Sequence, residues 1–83
     1  MDVVRLYLKE PMMIRDNRAV PGDGGEGTTK LVGVLVGRGE GASYILEALR
    51  GSPKRVIEVQ SEDVVQVARV SRSRAYAKTT AGQ

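Results

Sequence analysis

Cysteine and histidine are both absent from this chain of 83 residues, as are tryptophan and phenylalanine. Without cysteine there are no disulfides, and without either residue type no zinc site built from thiolate or imidazole ligands. The missing imidazole also removes the commonest general base, so Ser43, Ser52, Ser61, Ser71 and Ser73 have nothing to activate them as nucleophiles. Carboxylates are adjacent only at Glu62-Asp63, and in a strand two neighbouring side chains point to opposite faces, which suits neither a metal ion nor acid–base chemistry. No enzymatic activity and no cofactor are expected. Long apolar runs are absent too: nothing approaches the roughly 20 residues of a membrane helix, and the residues after Met1 lack a signal-peptide layout. A cytoplasmic protein with no membrane partner is the expectation.

A chain this short builds one domain and buries a limited apolar area. With disulfides and such metal sites gone, oligomerisation remains as the means of stabilising it. The formal charge of +3 is unevenly placed. Up to Asp63 nine basic residues face ten acidic ones, whereas Arg69, Arg72, Arg74 and Lys78 follow with no acid among them. A basic arm on a near-neutral body points to phosphate or an acidic partner, and Tyr76 adds one ring that can stack on a base. A solvated tail would have the same composition.

Strand patterns dominate what is present. Residues 3–8 are β-branched or large and apolar around a single charge, Pro11 interrupts them, and Met12-Met13-Ile14 extend them past a bend. Residues 15–29 hold Pro21 and four glycines with little to bury, which reads as a long flexible loop. Residues 30–37 form a strand with apolar side chains on both faces, implying burial on both sides. Residues 42–49 fit a strand or a helix; Tyr44 and Ile45 favour the strand. Turns at residues 38–41 and 51–54, a strand at 55–59 and a last one at 64–70 complete the pattern. The expected fold is all-β: five strands in a bent antiparallel sheet, closed on itself because open edges invite aggregation, with the long loop after the first strand.

Three segments point to a family. Gly33-Val34-Leu35-Val36-Gly37 carries a glycine, a leucine and a second small residue, and Leu46-Glu47 follow at the spacing of a later leucine and acid. Val59-Gln60-Ser61-Glu62-Asp63-Val64-Val65 has an aliphatic residue, polar residues and paired aliphatics, and Val4-Arg5-Leu6-Tyr7-Leu8 resembles a first barrel strand. In this order the segments resemble the Sm-like family, the ring-forming RNA binders that include the LSm proteins and Hfq. The resemblance covers roughly residues 3–70 apart from the insertion at 15–29. It implies an Sm-like, SH3-like small barrel over residues 1–70, a basic tail over 71–83, and a homo-oligomeric ring of about five to seven copies that binds single-stranded RNA. In such a ring the last strand of one copy is expected to pair with the bent unit formed by the second and third strands of the next.

The departures from the family pattern bear on how RNA would be held. Gly39 stands for the family's aspartate, Gly41 for its stacking side chain, Ser43 for its asparagine, and Gln60-Ser61 for Arg-Gly. The resemblance places Arg38, Ser43 and Gln60 at the pore, while the tail's Arg69, Arg72, Arg74 and Lys78 are expected to supply the phosphate contacts. A structural or protein-interaction barrel without RNA is the alternative. More distant is a nucleotide-binding fragment, in which Gly37-Arg38-Gly39-Glu40-Gly41 would open a helix and Glu58 would meet a ribose.

Overall fold

The computed structural model describes residues 2–70. Six strands follow in chain order: β1 (Asp2–Arg15), β2 (Arg18–Pro21), β3 (Thr28–Arg38), β4 (Tyr44–Gly51), β5 (Lys54–Val59) and β6 (Val64–Arg69). Single 3-10 turns lie at Asp23–Gly25, Glu40–Ala42 and Ser61–Asp63. In β1 the period of two puts Val4, Leu6 and Leu8 on one buried face. The ladder to β3 slips between Tyr7 and Met12, a stretch that includes Pro11, which has no N–H to give. Past the slip the strand resumes with the buried Met12 and takes β2 as its partner.

The sheet order is β2-β5-β4-β3-β1-β6, and β2 also pairs with β1. Pairing therefore runs from β1 through β3, β4, β5 and β2 back to β1, a closed circuit of five strands with β6 attached outside it. The pairings are antiparallel except for the single β2–β5 bridge between Arg18 and Glu58. Residues 44–51 are a strand, as the β-formers Tyr44 and Ile45 favour, so no helix follows the turn at residues 38–41. The nucleotide reading needs that helix N-terminus and loses its basis.

Residues 15–29 are not the expected structureless loop, and the strands number six rather than five. Asp16 and Asn17 adopt φ of 52° and 61°, the left-handed pair of a two-residue hairpin, and Arg15 faces Arg18 across it. Ala19 then enters the core, and the Gly22 N–H donates to the Pro11 carbonyl at 3.0 Å. The segment that looked too poor in apolar residues to pack is what closes the circuit.

Inside the circuit Val4, Leu6, Leu8, Met12, Ala19, Leu46 and Val59 form one core, against which Ile14, Leu31, Leu35, Tyr44, Ile57 and Val64 pack. Gly33 lets β4 come close, since a Cβ there would sit 2.8 Å from the Glu47 carbonyl oxygen. On the opposite face a smaller cluster joins Val3 and Val34 to Leu49 and Val70. Burial on both sides of β3 thus holds at Val34 but not at Val32 and Val36, which are exposed, as are Val56 on β5 and Val65 and Val67 on β6.

Candidate functional site

Three turns meet at one end of the sheet. The turn between β3 and β4 is held by its own backbone: the Gly39 N–H donates to the Ser43 carbonyl at 2.9 Å, and the Ser43 N–H to the Glu40 carbonyl at 3.2 Å. Ser61 of the turn between β5 and β6 donates its hydroxyl to the Gly41 carbonyl at 3.4 Å. The β1–β2 turn reaches the same place, because the Glu58 N–H donates to the Asn17 carbonyl at 2.9 Å.

Glu58 ties these turns together through its side chain. Ser43, fully buried, donates its hydroxyl to Glu58 Oε2 at 2.6 Å, while Arg18 Nε lies 3.6 Å from Oε1. Gly39 leaves room for this pair, since a Cβ there would stand 2.6 Å from Ser43 Oγ and 2.8 Å from Glu58 Oε2 and would displace one of them. Above this pair opens a recess of ≈ 530 Å³ lined by Arg18, Glu40, Gly41, Glu58 and Gln60. Two carboxylates against one guanidinium make it a poor seat for phosphate. Its acceptors suit N–H donors such as those on base edges.

The expected site residues fall into three groups. Arg38, Ser43 and Gln60 do come to this one end. The Arg38 guanidinium donates from Nη2 to the Ala42 carbonyl at 2.6 Å and from Nε to the Ser43 carbonyl at 3.3 Å, and it stacks 4.1 Å from the centre of the Tyr44 ring. Ser43 has its hydroxyl turned inward to Glu58, and of the three Gln60 alone lines the recess. Arg69 sits near the far end of β6 in an ion pair with Asp2 at 3.3 Å. Arg72, Arg74 and Lys78 lie outside the described residues.

Sequence patterns missed Arg18 and Glu40, and picked out Glu58 only as a ribose ligand. Arg18 reaches the recess because β2 exists, and the signal for β2 was the Asp16-Asn17 pair between two apolar stretches. No helix among the described residues is long and apolar enough to cross a membrane. Neither a protein-family model nor a curated protein nor a solved structure matches the chain.

Proposed function

We propose that this chain is the repeating unit of an Sm-like, ring-forming protein that binds single-stranded RNA, its closed circuit of strands serving as the small barrel of that family. What carries the reading is the meeting of the two turns that the resemblance assigns to RNA, residues 39–43 and 60–63, around one recess. A base edge fits the donors and acceptors of Gln60, Glu40 and Glu58, whereas the phosphates must run outside the recess, away from its carboxylates. The basic tail is the source of phosphate contacts.

Assembly has two strand edges to use. Among the described residues β6 has a partner on one side only, and β5 meets β2 at Glu58 alone. The β3–β4 unit, the edge expected from sequence to receive a neighbour's last strand, is flanked on both sides within the chain. We therefore assign the contact between copies to β6 of one and β5 of the next, with Val65, Val67 and Val56 becoming covered. Repeating one such head-to-tail contact closes a ring when its rotation divides a full turn, as the proposed five to seven copies require.

Fluorescence anisotropy of a labelled oligouridine in a salt series tests the RNA reading. Micromolar binding that weakens steeply with salt and drops at least tenfold when Arg69, Arg72, Arg74 and Lys78 are all changed to glutamine is the expected result. A second reading, a protein-interaction barrel, draws on the two carboxylates in the recess. It takes over if no RNA binds at low salt.

A further inference from the structure

Two polar side chains lining the recess remain without a partner once its internal bonds are made. Glu58 is engaged, with the Ser43 hydroxyl on Oε2 and Arg18 beside Oε1. Glu40 and Gln60 differ: among the described residues neither side chain has a hydrogen-bonding or ionic partner. Glu40 is exposed in the turn between β3 and β4, and Gln60 is half-buried just ahead of the turn between β5 and β6. The hydrogen bond from Ser61 to the Gly41 carbonyl holds those two turns together. Beside Gln60, Gly41 presents bare backbone at a φ of 64°, and a Cβ there would meet nothing nearer than Gln60 Oε1 at 4.0 Å. A flat group has room to lie over it.

The recess of ≈ 530 Å³ exceeds the volume of any single nucleobase, and no aromatic residue among the described ones lines it. Bases are therefore told apart in it by their edges rather than by stacking. A carboxylate offers acceptors only, two side by side, whereas a primary amide adds N–H donors. Their complement is an edge with two adjacent N–H donors followed by a carbonyl oxygen. The Watson–Crick edge of guanine has that order: N2–H and N1–H for the two oxygens of Glu40, then O6 for a Gln60 N–H. Uracil sets one N3–H between two carbonyl oxygens, so an oxygen confronts the carboxylate. Adenine and cytosine each place a ring-nitrogen lone pair beside their one amino group, with the same consequence.

Building on the RNA reading above, we infer that the recess is a guanine subsite, in which Glu40 accepts from N1 and N2 and Gln60 donates to O6. Arg18 offsets the charge of Glu58, so the incoming edge meets one uncompensated carboxylate rather than two. Gly41 supplies the open floor, and its lack of a side chain leaves the choice of base to the two polar groups.

The test measures fluorescence anisotropy of the full chain with a labelled oligouridine whose central nucleotide is kept as uridine or replaced by guanosine, inosine, adenosine or cytidine. The guanosine oligomer is expected to bind about tenfold more tightly than the oligouridine, and by the same factor at every salt concentration, because the phosphates are identical. Inosine lacks the N2 amino group and should lose most of that advantage. Glu40→Gln should bring the guanosine-to-uridine ratio to within about twofold without weakening the oligouridine, since it removes the paired acceptors and a negative charge. Glu62→Gln, an exposed carboxylate outside the recess, should leave the ratio as it is. Both positions are exposed, and circular dichroism checks that the variants keep the native spectrum. If the wild-type chain binds all five oligomers within twofold, or prefers any other base, the guanine assignment is overturned and the RNA reading stands. A guanosine preference that survives both Glu40→Gln and inosine also overturns it, because the base is then read elsewhere. Absence of wild-type binding to any of the oligomers at low salt overturns both the assignment and the RNA reading.

Discussion

A hydroxyl without solvent contact, such as that of Ser43, contributes only through the partner it is given, and here the partner is the Glu58 carboxylate. Hydrogen bonds to a charged group are worth about 1.5–3 kcal/mol, and Glu58 keeps some solvent access and the neighbouring Arg18 when the hydroxyl is removed. Ser43→Ala is therefore expected to cost about 1–2 kcal/mol, seen as a lower urea midpoint with an unchanged slope. RNA affinity should stay within about twofold, because the hydroxyl faces inward and makes no contact a ligand can reach. A loss of affinity at unaltered stability would instead put Ser43 in contact with RNA. Arg38 has a similar constraint. Its guanidinium is engaged by two carbonyls and the Tyr44 ring, so it braces the turn beside the recess.

Among the elements, β2 separates what residue patterns convey from what closure of the sheet requires. The strands over residues 3–8, 30–37, 55–59 and 64–70 announce themselves through runs of valine, leucine and isoleucine, and the structure has them in those places, with β4 where Tyr44 and Ile45 favour a strand. Strand β2 has four residues and one buried side chain, Ala19, too little for any periodicity to register. Its pairing with β1 is a local hairpin, but its closure of the circuit depends on the bridge from Arg18 to Glu58 of β5, which no local window contains. The recess inherits that gap, because Arg18 arrives through β2, whereas the glycine-rich turn at 38–41 and the polar break at 61–63 were visible from composition. Ala19→Asp tests the role of β2. A charge buried there without a partner should cost about 3 kcal/mol or more in a urea melt, while a surface loop would tolerate it within about 0.5 kcal/mol.

On the scale of the whole molecule, two features support the proposed assembly of several copies. The chain leaves Val32, Val36, Val56, Val65 and Val67 exposed on a domain whose core is small, and it leaves the edges of β5 and β6 without a full partner among the described residues. Unpaired edges bearing valine invite pairing with another chain, and a ring satisfies all of them at once. In the proposed ring the basic tail would be multiplied, so that arms weak singly would hold one RNA through effective concentration. Sedimentation velocity of the full chain at micromolar concentration and low salt, with a labelled oligouridine followed through its own absorbance, tests assembly and RNA binding together. One species of about five to seven times the 9.0 kDa chain mass, with the label sedimenting alongside it, is the expected result. A 9.0 kDa monomer with the RNA moving at its free rate would contradict it.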